Sequence, residues 1–405
     1  MALTRDLCQR LLQPEAAPLL HEVAGIDPTE VSAIARLRRR FTRDEVAAAV
    51  ELDDARRRGR GKFGPWADRM LLDRVGVEQA TGLAVARVKA KRWEESASNA
   101  AAVWDLCCGV GGDAIALAER GFRVTAVDRD ETKVWMSRHN VKQCTGREIA
   151  SQAADVTRTS IPSDAAVHLD PDRRAGGRRR FDPADYEPDL GWIASLAGRE
   201  TLTAIKLAPG VDGDQVPAGE LQWISDAGRL VQAVLWTGPV RPGHRATRIR
   251  PAASPLDHPG TDELAGPPAP PPLADAGGRY VYEADPAAER AGLLHRLCES
   301  HTIAEAHPGL GVLTGDAAVD SPWLTGFELL ERLSWREKRV KAALRRRGAG
   351  IVEVKTRDRA VDPDRVQKAM RGSGDEPFTL FVLRLGRRVE AWITRRLPAG
   401  DHRAA

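Results

Sequence analysis

The chain has 405 residues, of which 42% are hydrophobic, and a formal net charge of +4. This length exceeds that of a typical single domain, so we expect two or three domains with well-buried cores. No apolar run approaches the 18 or so residues that a membrane-spanning helix needs, which argues against an integral helical membrane protein.

The cysteine pattern and the first residues bear on the compartment. The five cysteines form neither a paired C-x-x-C motif nor an even framework, which predicts free thiols in a reducing cytosol and no metal site. The opening MALTRDLCQRLL is too charged and amphipathic for a secretory signal. The sequence therefore predicts a soluble, cytoplasmic protein.

The first stretch, from Leu3 to about residue 92, is predicted to be helical throughout, because apolar residues recur at intervals of three and four. Asp27-Pro28-Thr29-Glu30 and Thr42-Arg43-Asp44-Glu45 each predict a helix start. Further on, Glu78-Gln79-Ala80-Thr81 precedes the first predicted strand. These polar residues either fold back over a ligand pocket, with Gln79 and Thr81 as contacts, or only cap a helix.

The segment VWDLCCGVGGDAIALAERGFRVTAVD, residues 103–128, carries the strongest functional signal. An apolar run ends in Asp105, glycines follow at positions 109, 111 and 112, a helix opens at Asp113, and a second apolar run ends in Asp128. This order predicts a strand, a glycine turn, a helix and a strand. The glycines would let backbone approach a nucleoside-sized ligand at the carboxyl ends of the strands, and Asp128 could accept both ribose hydroxyls.

Two cofactors could use such a pocket. Gly109, Gly111 and Ala114 fit the G-x-G-x-x-G/A pattern of dinucleotide binding, which alone is a weak signal. Asp105 instead favours S-adenosylmethionine (SAM), because a carboxylate there can take the ammonium of a methionine moiety and would repel a pyrophosphate. A later apolar run that ends in Asp170-Pro171-Asp172-Arg173-Arg174 also favours SAM.

The segment that follows predicts an α/β sheet. Apolar runs occur at residues 102–106, 124–127, 165–169, 202–207 and 231–235, with a weaker run near 148–154. Because helical connections separate most of them, we expect a mainly parallel, Rossmann-like sheet with helices on both faces. The ligand should lie at the carboxyl ends of its first strands.

The last third of the chain predicts a separate small α/β module. Prolines at residues 267–272 form a stiff connector, Tyr280 begins a short strand, and Asp285-Pro286 begins a helix. Helices at 335–347 and 362–370 then alternate with strands at 351–355, 378–385 and 389–393. We expect four regions: 1–98 helical, 99–255 the sheet domain, 256–320 a proline-rich linker with a connecting strand and helix, and 321–405 the terminal module.

The charge is concentrated near the end of the chain. Residues 336–371 hold thirteen Lys/Arg and five Asp/Glu, a net +8, which leaves −4 for the rest. A basic terminal module on a slightly acidic body points to an anionic partner, with nucleic acid first. The alternative is a solvated helix face in an Arg-rich chain.

At these motifs the chain resembles bacterial class I SAM-dependent methyltransferases that carry a C-terminal THUMP-like domain. DLCCGVGGD with VTAVDRD resembles the trimethylguanosine-synthase branch. LDPDRR, IKLAPG, LWTGP, YVYEADPAAERAGLL and REKRVKAALRRRGAGIVEVKTR extend the resemblance over almost the whole length. It implies a Rossmann-like methyltransferase sheet with an N-terminal helical region and a small C-terminal α/β THUMP-like domain.

The resemblance also implies roles for individual residues. Asp105, Gly109 and Gly111 would border the methionine part, Asp128 would hold the ribose, and Asp155 would meet the adenine amino group. The remaining predicted cofactor contacts are Cys107, Asp113, Gln79 and Thr81. Residues Asp170 and Pro171 would lie beside the transferred methyl group. THUMP-type modules dock structured RNA, so the proposed phosphate contacts are Lys338, Arg339, Lys341, Arg345, Arg346 and Arg347.

The chain departs from the D/N-P-P-aromatic motif of amino-directed methyltransferases, because Asp172 and Arg173 follow Pro171. Asp170 and the Pro171 carbonyl can still polarise an amino group, but the stacking ring is missing. Arg173 could stack or clamp a phosphate, and Asp172 could accept a proton. Asp172 and Arg173 could equally form a local ion pair that only shapes the loop.

The sequence thus predicts a SAM-dependent methyltransferase acting on RNA, with tRNA or rRNA as the expected acceptor. Three alternatives stay open. The chain could be a small-molecule or protein methyltransferase, a non-catalytic RNA-binding protein that retains a SAM fold, or, least favoured, an NAD-dependent oxidoreductase.

Overall fold

A computed structural model describes residues 3–27, 30–96, 102–172, 174–175, 178–179, 186–357 and 359–398. The chain divides into two compact units. The first comprises residues 1–227, 231–242 and 249–261, and the second comprises residues 228–230, 243–248 and 262–405. Within the described part of the chain, no helix is both long and apolar enough to cross a membrane.

The first unit begins with helices, as predicted. Its α-helices are α1 Arg5–Leu11, α2 Ala17–Val23, α3 Val31–Leu37, α4 Arg43–Phe63, α5 Arg74–Gln79, α6 Leu83–Ser96, α7 Gly112–Glu119, α8 Glu131–Thr145 and α9 Leu190–Ala197. Its strands are β1 Ala102–Leu106, β2 Arg123–Asp128, β3 Ala150–Ala153, β4 Ala166–Leu169, β5 Arg174–Ala175, β6 Arg178–Arg179, β7 Thr203–Leu207, β8 Glu220–Asp226 and β9 Arg229–Thr237.

Local sequence explains where the longest helix begins. The Thr42 side chain accepts a hydrogen bond from the Glu45 backbone N–H, and the Glu45 carboxylate accepts one from the Thr42 N–H. This capping box starts α4 at the predicted position. The other predicted helix start, Asp27-Pro28-Thr29-Glu30, immediately precedes α3, whose first residue is Val31. Residues 28 and 29 of this start lie outside the described part of the chain.

The sheet of the first unit is parallel at its centre. Its strands lie in the order β8-β9-β7-β4-β1-β2-β3. Strands β7, β4, β1, β2 and β3 run parallel, and β9 is antiparallel to β7. The apolar runs correctly predicted β1, β2, β4 and β7, and β4 and β7 are buried throughout, as expected of continuously hydrophobic strands covered on both faces. Strand β3, with the sequence ASQA, is mostly exposed and lies within the weaker run near 148–154. Strand β8 was not predicted.

The second unit contains the remaining elements. Its helices are α10 Pro286–Arg290, α11 Leu294–His301, α12 Glu337–Arg346 and α13 Pro363–Met370. Its strands are β10 Gly243–Ile249, β11 Thr261–Gly266, β12 Tyr280–Ala284, β13 Ala304–Glu305, β14 Val312–Gly315, β15 Leu324–Ser334, β16 Ala349–Thr356, β17 Glu376–Leu385 and β18 Arg388–Arg396. Seven of them form a sheet in the order β13-β14-β12-β15-β18-β17-β16.

The terminal elements follow the predicted order, with α12, β16, α13, β17 and β18 each within a few residues of its expected bounds. Asp285 caps α10 by accepting from the Ala287 N–H, with Pro286 at the first helical position as expected. Strand β15 was missed, although it pairs with both β12 and β18. A bulge between Leu329 and Glu331 interrupts its alternation of buried and exposed residues, which removes the periodicity that predicts a strand.

Candidate functional site

The acids predicted at the ends of the apolar runs meet at one edge of the first sheet. Asp105 lies opposite Ala126 and His168 in the parallel registers of β1 with β2 and β4. Asp128 is the last residue of β2, and Asp170 follows β4 directly. Since the carboxyl ends of parallel strands share one edge, the topology creates the ligand crevice expected of an open α/β sheet.

The glycine loop between β1 and α7 has a left-handed backbone at several positions. Gly109 has a φ of 52°, and an added Cβ there would meet nothing within 4 Å. At Gly111, with a φ of 87°, a Cβ would lie 2.7 Å from the Ser137 Oγ, and at Gly112 it would lie 2.6 Å from the Thr81 carbonyl oxygen. Gly111 and Gly112 are therefore required by close packing within the protein itself, and Gly109 borders open space.

Asp128 fixes the loop to the second strand. Its Oδ2 accepts a hydrogen bond from the Gly109 N–H at 3.0 Å, and its Oδ1 accepts one from the Asp130 N–H at 3.0 Å. Burial raises the pKa of this carboxyl above its usual range, and the two backbone donors oppose that effect. The carboxylate is thus held in one orientation at the end of β2.

Asn140 of α8 ties the same loop to the N-terminal helices. Its Nδ2 donates to the carbonyls of Val110 and Leu71, both at 2.9 Å, and its Oδ1 accepts from the Leu71 N–H at 2.7 Å. Asn140 is fully buried, so each of these groups depends on the others for its hydrogen bonds. The N-terminal region therefore forms part of the site's framework.

A buried polar network lies behind Asp105. The His168 Nδ1 is 2.7 Å from the Asp105 Oδ1, and the His168 Nε2 is 3.1 Å from the Lys89 Nζ. Lys89 also lies 2.6 Å from the Asp113 Oδ1. Asp105, His168 and Lys89 are each 1% exposed. The second oxygen of Asp105, Oδ2, is buried and has no hydrogen-bond partner among the described residues.

The network shifts the pKa values of Asp105 and Asp113 in opposite directions. Burial raises the pKa of Asp105 above its usual range, and the His168 hydrogen bond only partly opposes this. Burial would also raise the pKa of Asp113, but the positive charge of Lys89 outweighs this effect and holds the pKa well below its usual range. Asp113, a predicted cofactor contact, is thus the ion-pair partner of Lys89.

Asp170 is held by a lysine that the sequence only weakly suggested. The Lys206 Nζ of β7 is 2.6 Å from the Asp170 Oδ2, and it donates to the Gln79 carbonyl at 3.1 Å. The Asp170 side chain is 23% exposed and that of Lys206 is 7% exposed. Pro171, the next residue, is buried. This ion pair lies beside the position predicted for the acceptor.

The segment that contains Gln79 and Thr81 lies against both the glycine loop and the Asp170 region. The Lys62 Nζ donates to the Glu78 and Ala80 carbonyls at 3.0 and 2.6 Å. Thr81 is buried, and its Oγ1 has no hydrogen-bond partner among the described residues. The segment also contains the last residues of α5, so it both ends that helix and lies against the glycine loop.

Asp172 is engaged in local structure. Its backbone N–H donates to the Glu187 carbonyl at 2.9 Å, and its carbonyl accepts from the Glu187 N–H at 3.0 Å. Its carboxylate accepts a hydrogen bond from the Gln79 Nε2 at 3.2 Å. These contacts favour the interpretation that Asp172 shapes the loop. Arg173, predicted beside it, lies outside the described residues.

Asp155 and Cys107, two further predicted cofactor contacts, lie in different surroundings. Asp155 lies two residues beyond β3, is exposed, and accepts hydrogen bonds from the Thr157 N–H and Oγ1, which lower its pKa. Cys107 has a φ of 58°, and burial raises the pKa of its thiol well above the usual range. A neutral thiol at this turn contributes packing and no nucleophile.

The predicted phosphate contacts lie on and just beyond α12 in the second unit. Val340, Ala343 and Leu344 face the core. Five of the six predicted residues are exposed and form no ion pair among the described residues: Lys338, Arg339, Lys341, Arg345 and Arg346. Arg347 differs, because its guanidinium lies 2.8 Å from the Glu331 carboxylate.

Sequence reasoning missed His168 and Lys89 and undervalued Lys206. A signal for His168 was present, because a titratable side chain inside the apolar run AVHL needs a buried partner. Lys89 lies among apolar residues of α6, on the helix face that packs inward. The partner of each could not be identified, since 79 residues separate Lys89 from His168.

Two stretches of the chain match known families. Residues 100–163 match the family described as RNA cap guanine-N2 methyltransferase. Residues 324–396 match the family described as THUMP domain-like. The two matches lie in the two regions where the sequence predicted the SAM pocket and the basic module.

Other proteins align with most of the chain. An uncharacterized S-adenosylmethionine-dependent methyltransferase of Mycobacterium tuberculosis, from strains CDC 1551 and H37Rv, is 33% identical over 364 residues. The alignment spans 86% of this chain and 96% of the relative. A crystal structure of a Porphyromonas gingivalis W83 protein described as a methyltransferase superposes with a TM-score of 0.67 at 17% identity, covering 92% of this chain and 100% of that one. The chain belongs to the family of SAM-dependent methyltransferases that includes the two mycobacterial proteins.

Proposed function

We propose that this methyltransferase transfers the methyl group of SAM to an RNA acceptor, with tRNA or rRNA as the first candidates. The observation that carries the proposal is the pairing, on one chain, of a stretch that matches an RNA cap guanine-N2 methyltransferase family with a stretch that matches a THUMP domain-like family. The basic residues of α12 that form no ion pair within the described part of the chain support it, because phosphate contacts supply most of the affinity for nucleic acid.

The charges and unused hydrogen-bond acceptors at the carboxyl edge of the first sheet suit SAM. The buried Asp105 Oδ2, which has no hydrogen-bond partner among the described residues, suits the ammonium group of the methionine part. Asp128, oriented by two backbone donors, is proposed to accept the ribose hydroxyls. Asp155 would meet the adenine amino group, and the open face of Gly109 would allow close approach of the ligand.

When bound, SAM supplies an activated methyl group on a sulfonium, so the protein's main task is to hold the acceptor in line. Asp170 is proposed to accept a hydrogen bond from the acceptor group, and the Pro171 carbonyl is a second acceptor. Lys206 orients Asp170 through its contact with Oδ2. This leaves the Asp170 Oδ1 as the oxygen available to the acceptor.

Asp172 is assigned a supporting role. Its backbone bridge to Glu187 and its contact with Gln79 hold the loop that follows Pro171. Since it is engaged in this way, Asp170 is the better candidate for the group that polarises the acceptor. The absence of the aromatic residue found in D/N-P-P-aromatic motifs leaves both nitrogen and oxygen acceptors open.

The proposal is tested by incubating the protein with methyl-labelled SAM and total RNA. We expect label in material that RNase removes and protease does not. RNase-treated and protein-only samples are the controls. Label that resists RNase but is lost on protease treatment would assign a protein acceptor, and incorporation no greater than in a sample without the protein would contradict enzymatic transfer.

A further inference from the structure

The buried network of Asp105, His168, Lys89 and Asp113 has a single consistent pattern of hydrogen bonds. A lysine ammonium can only donate, so the His168 Nε2, 3.1 Å from the Lys89 Nζ, is the acceptor of that bond. The proton of the neutral imidazole is then on Nδ1, which donates to the Asp105 Oδ1 at 2.7 Å. The network therefore selects one tautomer of His168.

The charges of the network do not cancel. Lys89 is balanced by Asp113, which lies 2.6 Å away. Neutral His168 adds no charge, so the negative charge of Asp105 has no counter-charge within the network. An uncompensated buried carboxylate is costly, and burial accordingly raises its pKa. A ligand cation at Oδ2 would remove that cost.

We propose that His168 is a positioning residue for cofactor recognition. Held in its Nδ1–H tautomer by Lys89, it stabilises Asp105 in the ionised form and occupies Oδ1, which leaves Oδ2 for the ammonium group of the SAM amino-acid moiety. The inference rests on SAM as the donor and on Asp105 as its ammonium partner. It does not depend on RNA as the acceptor.

Other charged groups near Asp105 do not replace His168 in this role. Asp113 of α7 opposes ionisation of Asp105, and Lys89 of α6 favours it from beyond the imidazole. Cys107 and Cys108 follow β1, and burial raises the pKa of each thiol well above its usual range, which keeps both neutral. Lys206 of β7 is paired with Asp170. His168 is the direct donor to Asp105 among the described residues.

The test compares two ligands that differ in the amino-acid moiety. S-adenosylhomocysteine carries the ammonium group, and 5′-methylthioadenosine lacks it. Calorimetry of wild type, His168→Leu and His168→Asn between about pH 5.5 and pH 8 measures both affinities, and the asparagine amide can reproduce the donor lost in the leucine variant.

In His168→Leu the ionised Asp105 loses its donor, so its pKa rises further. Affinity for S-adenosylhomocysteine should fall about tenfold or more near neutral pH, because each unit by which the pKa exceeds the pH lowers the ionised fraction of Asp105 about tenfold. The affinity should recover as the pH is raised and Asp105 ionises again. Affinity for 5′-methylthioadenosine should stay within about twofold of wild type. The His168→Asn variant should retain most of the affinity for S-adenosylhomocysteine that His168→Leu loses.

Three results would overturn the proposal. An equal loss for both ligands would assign His168 a purely structural role. Unchanged S-adenosylhomocysteine affinity in His168→Leu would remove it from recognition. A loss in His168→Asn as large as that in His168→Leu would show that the donated hydrogen bond is not what matters. Binding of both ligands with no transfer to RNA would contradict the RNA proposal alone.

Discussion

Individual buried polar side chains connect parts of this site that are distant in the sequence. Asn140 joins the glycine loop to residue 71, and Lys206 joins the end of β4 to the segment that precedes α6. Each side chain has its donors and acceptors matched to backbone or carboxylate groups. Removal of such a side chain leaves several buried groups without partners, so its effect should exceed that of one lost hydrogen bond.

Replacement of Asn140 by leucine should therefore lower the free energy of unfolding by about 2–4 kcal/mol, since the carbonyls of Val110 and Leu71 and the Leu71 N–H lose their partner. Denaturant titration measures this difference. Gln143→Leu makes a closely similar change at an exposed position of the same helix and should alter stability by less than about 0.5 kcal/mol. Equal effects of the two variants would contradict the assigned role of Asn140.

Asp170→Ala should abolish methyl transfer while it weakens SAM binding by less than about tenfold, because this residue is proposed to orient the acceptor. Lys206→Met should reduce transfer less severely, since Asp170 remains but is no longer held. Single-turnover transfer and calorimetry with S-adenosylhomocysteine separate the two effects. Unchanged turnover in Asp170→Ala would remove this residue from the mechanism.

Among the helices and strands, sequence pattern was most successful for elements whose position is determined by a single physical cause, such as burial or a helix cap. The central parallel strands are buried on both faces, so their apolar runs predicted them within a few residues. The capping box of α4 and the proline that begins α10 were also identified correctly. Strands β8 and β15 were missed because their sequences, ELQWISD and LTGFELLERLS, lack a simple run or alternation of apolar residues.

Helix α12 is the element that should carry RNA affinity. We expect the double variant Arg345→Ala/Arg346→Ala to weaken RNA binding and to lower the slope of log affinity against log salt by about 1.5–2, which corresponds to two phosphate contacts. Arg387→Ala/Arg388→Ala removes the same charge from exposed positions at the turn between β17 and β18 and is the matched control. Equal slopes in the two variants would assign the effect to net charge and not to α12.

For the whole molecule, the order of predicted strands was enough to bring Asp105, Asp128 and Asp170 to one edge, because parallel strands share that edge by topology. The polar network behind Asp105 was not predictable in the same way. It depends on α6 packing Lys89 against β4, and a single sequence does not contain that tertiary contact. The same holds for Lys206, whose partners are 36 and 127 residues away.

RNA methylation by this protein is tested most directly by mass spectrometry of nucleosides from RNA of a strain that lacks the gene. We predict that one methylated nucleoside is missing, that the wild-type gene restores it, and that the Asp170→Ala gene does not. Identical nucleoside profiles in all these strains, with the protein expressed and able to bind SAM, would contradict the account.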